Sequence, residues 1–272
     1  MTDAPDYEFY AIKYGVVDVP AKYATTIDDP NNPVSEEPRK LVYFFHLIRG
    51  GGRTILVDCG FDHECGAKRG RTIDRLPVEA IAKLGVKPED VDTMILTHLH
   101  YDHAGTLGTF PNAEIIIQEK ELAFATSRFM SHPAVRRAFD AEHICDLIHL
   151  IFAERVRFMD GDGEIAPGIT GHLLPGHSHG LMGLQVKTKR GRVFLAGDVA
   201  HFYDNLWKRN PFSILQLVPE YCDSQDKVIR MAESPDHIVP GHDEQILEIY
   251  PAHPDDEGIV DLTVPPSRSI GP

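Results

Sequence analysis

The segment Thr97-His98-Leu99-His100-Tyr101-Asp102-His103-Ala104-Gly105 constrains this chain more than any other. It places three histidines and one aspartate within six positions. It directly follows a short apolar run, Thr93 to Thr97, that reads as a buried strand. At the end of a strand, alternate side chains such as His98 and His100 point to one side. Asp102 and His103 come round the following turn and face the same space from another angle. Imidazole nitrogen with carboxylate oxygen is the donor set of zinc or a similar first-row ion. Four adjacent ligands crowd one tetrahedral ion and leave no room for chemistry. Three further candidates sit at predicted strand ends beside Gly or Pro. They are His177 in Pro175-Gly176-His177, Asp198 in Gly197-Asp198, and His242 in Pro240-Gly241-His242. Seven ligands divide between two ions about 3.5–4 Å apart that share one carboxylate. The other histidines, His46, His63, His132, His143, His149, His172 and His253, read as ordinary core or surface residues.

The rest of the chain narrows the setting. With 27 Lys+Arg against 41 Asp+Glu, the formal charge is −14 over 272 residues. Phosphate neutralisation needs clustered cations, so nucleic acid is not the expected partner. The densest basic stretch, Lys68, Arg69 and Arg71, reads as a solvated loop. No apolar run is long enough to span a bilayer as a helix. The acidic N-terminus lacks the basic-then-apolar order of a signal peptide. Four scattered cysteines without a C-x-x-C pair read as reduced thiols. The expectation is a cytoplasmic protein acting on a small molecule.

Periodicity gives a coarse order of elements. Tyr7 to Tyr14 reads as a strand. Asp28 to Pro38 is a Pro/Asn/Glu-rich loop. Leu41 to Ile48 and Thr54 to Val57 form a hairpin around Gly50-Gly51-Gly52. A helix opens at Pro77 and stops at Gly85. Ala113 to Gln118 is a strand, and Glu119 to Phe152 reads as helical. Strands follow near Arg155 to Phe158, Thr170 to Leu174, Leu181 to Lys187 and Arg192 to Ala196. A helix over Asp223 to Glu233 and a last core strand, His237 to Val239, complete the pattern. Two packed sheets with outer helices, in a single α/β domain over residues 1–272, are expected. Residues 1–6 and 253–272 read as loose termini.

The five-part series of Asp58 in Val57-Asp58-Cys59-Gly60, the histidine segment, His177, Asp198 and His242 resembles the metallo-β-lactamase superfamily. The resemblance spans about Leu41 to Asp243. It implies a four-layer αβ/βα sandwich with the site at one edge of two sheets. It implies that His98, His100 and His177 hold one metal, that Asp102, His103 and His242 hold a second, and that Asp198 bridges them. Asp58 then supports the ligands from behind. The ions implied are two divalent metals, zinc foremost, with manganese, iron or cobalt as alternatives. A homodimer is also suggested by the resemblance.

A water shared by two such ions deprotonates near neutral pH and attacks a carbonyl. Asp102 is placed to orient that water or take its proton. His100 stands where di-iron oxygen-reducing members carry Glu, which disfavours an oxidoreductase. The spacing looks most like the N-acyl homoserine lactonase-like group, whose reaction is the opening of a cyclic ester. A pyridoxolactonase-like hydrolase of an aromatic lactone and a glyoxalase II-like thioesterase are the alternatives, with a non-catalytic metal-binding member behind them. The thioesterase needs a basic patch to hold glutathione carboxylates, and the chain offers no clear one. Well-studied lactonases place a tyrosine three residues after the bridging aspartate. That position is His201 here, with Tyr203 nearby, so either is a candidate hydrogen-bond donor to the developing oxyanion. Phe202, Tyr203, Trp207 and Phe212 form an aromatic run that suits a substrate wall.

Overall fold

A computed structural model of the protein describes residues 4–26 and 37–271. Most of the expected loop from Asp28 to Pro38 therefore lies outside the described residues. Thirteen strands run in chain order as β1 Glu8–Val19, β2 Arg39–Gly50, β3 Arg53–Val57, β4 Thr93–Ile95, β5 Glu114–Gln118, β6 Val156–Met159, β7 Gly163–Ala166, β8 Ile169–Leu173, β9 Met182–Thr188, β10 Gly191–Gly197, β11 Ile238–Pro240, β12 Ala252–His253 and β13 Asp256–Asp261. Eight of them form one sheet in the order β12-β13-β1-β2-β3-β4-β5-β6. The other five form a second sheet in the order β11-β10-β9-β8-β7.

The side-chain periods explain the layering. β2 is apolar at nearly every position because both of its faces are covered. Leu41, Tyr43, Phe45 and Leu47 pack with Ala80, Ile81, Phe124 and Leu147 from the helical layer. Val42, Phe44 and Ile48 turn the other way and meet Met182, Leu184, Val193 and Leu195 of the second sheet. Behind that sheet, Phe194 and Ala196 pack with Leu206 and Val228. The result is helix, sheet, sheet, helix. Among the described residues no helix is long and apolar enough to cross a membrane.

The Gly-rich hairpin forms as expected, with Gly51 and Gly52 at φ +59° and +77°. The helical stretch after β5 is broken rather than continuous. It runs Glu119–Ala125, a single turn Arg128–Ser131, Pro133–Arg136 and Ala141–Phe152. Pro133 opens a new turn because it cannot continue the preceding one.

The C-terminal reading needs correction. The tail expected over 253–272 is not loose across its described residues, 253–271: β13 pairs antiparallel with β1, placing Ile259 opposite Ile12. Ile259, Val260 and Leu262 are fully buried. The charged residues Asp255, Asp256, Glu257 and Asp261 around these apolar positions conceal the strand in the sequence. Arg75 pairs with Asp256 and fastens it further. At the other end, Lys187 Nζ donates to Ala4 O and lies 3.4 Å from Asp6 Oδ1, so residues 4–6 are also held.

Truncating Ile259 to Ala tests this placement. A buried strand position costs about 2–4 kcal/mol on such a change. Urea unfolding of the variant should show that loss, whereas a loss below about 0.5 kcal/mol would mean an exposed tail.

Candidate metal centre

Four loops converge on one buried point. The loop after β4 carries His98, His100, Asp102 and His103, and the loop between β8 and β9 carries His177. Asp198 follows Gly197 at the end of β10, and His242 follows Pro240 at the end of β11. β10 and β11 are parallel neighbours, so Asp198 and His242 leave the sheet at the same edge. The loops are tied by their backbones: His242 N donates to His201 O, and Val42 N donates to His242 O. A Cβ at Gly241 would collide with Asp198 Oδ1, so only glycine fits there.

Asp198 is the hub. Its Oδ2 lies 3.1 Å from His177 Nε2, 3.6 Å from His103 Nε2 and 3.8 Å from His98 Nε2. Its Oδ1 lies 3.2 Å from His242 Nε2. Asp102 Oδ2 stands 3.7 Å from His103 Nε2 and 3.9 Å from His242 Nε2. His100 Nδ1 is 2.9 Å from His177 Nε2, so the two face one point. The donor atoms fall into overlapping groups: His98, His100 and His177 on one side, Asp102, His103 and His242 on the other, with Asp198 between.

The donor chemistry fits divalent cations. His98, His100, His103, His177, Asp198 and His242 are all buried. Among the described residues, His98 Nε2, His103 Nε2 and Asp198 Oδ1 have no hydrogen-bond partner, a state that costs roughly 1–3 kcal/mol per group when nothing fills it. The outward nitrogens of His177 and His242 are occupied. His177 Nδ1 donates to Ile214 O at 2.7 Å, and His242 Nδ1 donates to Val42 O at 2.8 Å. Those bonds assign the tautomer that turns each Nε2 lone pair inward.

Burial, with neighbouring imidazoles, holds His98, His100 and His201 well below the usual histidine range. Burial also opposes charge on His103, but Asp102, Asp198 and Asp58 outweigh it and raise that group. Burial alone would raise the Asp198 carboxyl, and the surrounding histidines, His242 foremost, hold it well below the usual carboxylate range.

Asp58 sits directly behind this cluster. Its Oδ2 accepts from His103 Nδ1 and from Thr97 Oγ1, each at 2.8 Å, and its Oδ1 accepts from Thr97 N at 2.8 Å. Thr97 Oγ1 in turn lies 3.1 Å from His98 Nδ1. One carboxylate thereby orients two imidazoles. It does so from a left-handed backbone, φ +63°, which is strained for a non-glycine residue.

Glu121 is a positioning residue that sequence reasoning missed. Fully buried, its carboxylate accepts from Leu99 N at 2.9 Å and Gly180 N at 2.8 Å, joining the loops that carry His98 and His177. In the sequence it sits in an ordinary charged helix start, Glu119-Lys120-Glu121, and nothing there marks it.

A cavity of about 580 Å³ opens beside the cluster, lined by His100, Asp102, His177, Asp198, His201 and Phe212 among others. His201 stacks on Phe212 at 3.7 Å, and its Nε2 lies 3.3 Å from Asp198 Oδ2. His201 therefore faces the bridging carboxylate as well as the cavity. Tyr203 does not reach this space. Residues Tyr203–Trp207 form a short helix whose first turn is held by Asp243, which accepts from Tyr203 N at 2.9 Å. The Tyr203 ring is buried between the sheets with Tyr250 and Val239, so it is no oxyanion donor. Phe202 packs in the core under the Arg39 guanidinium, 4.0 Å from its ring. Trp207 bridges two core clusters. Of the aromatic run, only Phe212 lines the cavity. The helix turns the others inward, which an aperiodic reading of that stretch could not show.

The basic residues also need correction. Arg69 and Arg71 are not a solvated loop: both line the cavity, joined there by Arg137.

An α/β/β/α sandwich with a buried His/Asp cluster at the ends of its strands defines a metal-site scaffold of one recognisable kind. The chain belongs to the metallo-beta-lactamase superfamily, whose family model matches residues 41–242. It is similar to an N-acyl homoserine lactonase of Bacillus cereus, 35% identical over 143 residues, covering 52% of this chain and 50% of that protein. It is also similar to the N-acyl homoserine lactonase AttM of Azorhizobium caulinodans, 30% identical over 171 residues, covering 61% and 63%. Alignments to the leading curated relatives span about half the length of those proteins. A solved quorum-quenching N-acyl homoserine lactone lactonase superposes with TM-score 0.74 at 25% identity, covering 90% of this chain and 95% of that one.

Replacing Asp58 by Asn leaves the shape but removes the charge behind His103. Metal affinity should fall roughly 10- to 100-fold, as for other carboxylates behind ligand histidines. Competition with a chromophoric chelator measures it, and unchanged affinity would exclude the orienting role.

Proposed function

We propose that this chain is a dinuclear metal-dependent hydrolase that opens a lactone or similar cyclic ester. The observation that carries it is Asp198, set between two groups of donors, all buried except the half-buried Asp102, at the floor of a cavity large enough for a small molecule. The similarity to N-acyl homoserine lactonases supports the substrate class. His98, His100 and His177 would hold one ion, Asp102, His103 and His242 the other, with Asp198 shared. Zinc is the ion we propose, since imidazole nitrogen with carboxylate oxygen is its usual donor set; manganese, iron and cobalt are the alternatives these donors also accept. When bound, such ions supply Lewis acidity and activate water near neutral pH.

The chain's own groups supply the rest. Asp102 lines the cavity, where its Oδ2 can accept a proton from water and return it to the departing alkoxide. His201, kept neutral by burial, is a single N–H donor at the cavity wall beside Asp198. Phe212 backs His201 and excludes water from that side. Tyr43 and Tyr101, whose hydroxyls lie 2.9 Å apart, also line the cavity and add neutral donors.

A thioester is the second reading. One observation favours it: the basic patch such a substrate needs is present, assembled from Arg69, Arg71 and Arg137.

The test is proton release from a panel of neutral homoserine lactones, aromatic lactones and S-lactoylglutathione, with and without chelator. Chelator-sensitive opening of a lactone class is expected. His98→Ala and Asp198→Ala should each lose at least 100-fold in kcat/KM together with bound metal, since each strips a donor from the ions that activate water. Cleavage of the thioester alone moves the assignment to the second reading. Full activity in either variant refutes the site.

A further inference from the structure

One wall of the cavity carries a charge opposite to that of the chain. The protein has a formal charge of −14, and its arginines elsewhere are mostly matched: Arg39 with Asp204, Arg49 with Glu8, Arg75 with Asp256 and Arg209 with Asp226. Three arginines nevertheless line the cavity beside His100 and Asp102. They arrive from two distant segments, the end of the helix His63–Arg69 with its exit and the chain just after Pro133–Arg136.

The three do different things. Arg69 is engaged through its terminal nitrogens. It donates to Arg137 O at 2.9 Å and Phe139 O at 2.7 Å, lies 3.3 Å from Asp140 Oδ2, and covers the Tyr101 ring at 4.2 Å. It braces the backbone that presents Arg137. By contrast, neither Arg71 nor Arg137 has a carboxylate at ion-pair distance among the described residues, although both face the cavity. The Arg71 guanidinium is half-buried beside the Tyr43 and Tyr101 hydroxyls. Apart from Asp102 and Asp198 of the metal cluster, Asp18 is the one carboxylate on the cavity wall among the described residues.

We propose that Arg71 and Arg137 form an anion subsite, and that the substrate carries a carboxylate at the end remote from the bond that is cleaved. This deepens the hydrolase reading above and rests on it. The guanidinium fork matches the two oxygens of a carboxylate, and Arg71, half-buried, is screened less than a fully exposed cation. The Tyr43 and Tyr101 hydroxyls, 2.9 Å apart, line the same cavity as Arg71 and add uncharged polar groups to the subsite. A neutral acyl-homoserine lactone leaves these cations unused, whereas a carboxylated lactone or a thioester of a peptide-like thiol uses them.

The probes are adipate and its monomethyl ester, which differ only in one charge, titrated calorimetrically into the metal-loaded protein. Adipate should bind roughly tenfold tighter, the worth of one charge-assisted hydrogen bond. Arg137→Gln, at an exposed position with no side-chain partner to lose among the described residues, should cut that ratio severalfold, and Arg71→Gln should do the same. Added salt should weaken adipate more than the monoester. Equal affinities, no adipate binding, or a ratio unchanged in both variants would overturn the subsite. Turnover of neutral lactones, followed separately, reports on the hydrolase reading without involving the arginines, so the two readings fail independently.

Discussion

Five buried imidazoles and a buried carboxylate, all turned toward one point, are the constraint around which this protein is organised. An interior that leaves such groups without partners loses stability at each one. Here the partners are assigned outward with care. Asp58, Thr97, Ile214 and Val42 each occupy an Nδ1, and the inward atoms are left to one another and to Asp198. Such a cluster is coherent only with cations at its centre. Metal binding and folding of these loops are then expected to be coupled.

The two sheets exist, in this view, to hold four loops at fixed separation. Val57 ends a strand buried on both faces, and Asp58 follows it in a backbone conformation that only surrounding packing sustains. The parallel pairing of β10 and β11 brings Asp198 and His242 to one edge. Glu121 then stitches the His98 loop to the His177 loop across the top of the first sheet. The cavity inherits two kinds of surface: a donor-rich floor built by those loops, and a basic wall supplied by Arg71 and Arg137. Chemistry belongs to the floor and recognition to the wall.

The residues that converge on Asp198 are legible in the sequence because they follow apolar strands, three of them crowded into one short segment with Asp102 and the others beside glycine, a local pattern. The layered fold was legible for the same reason, from runs buried on both faces such as β2. What escaped was set by distance. β13 is a strand because β1 accepts it, while its own residues are half acidic. Glu121 and Arg137 gain their roles from segments tens of residues away. Tyr203 and Trp207 looked like a cavity wall, but five residues of helix turned them into the core. The separation of Arg69 and Arg71 from Arg137 hid the basic patch that a sequence scan for clustered charge could not find.

Diffraction from zinc-loaded crystals on either side of the zinc absorption edge tests the central claim most directly. Two anomalous peaks about 3.5–4 Å apart are expected, on either side of the Asp198 carboxylate. One should be ringed by His98, His100 and His177, the other by Asp102, His103 and His242. A single peak at saturating metal, or peaks away from Asp198, would contradict the account.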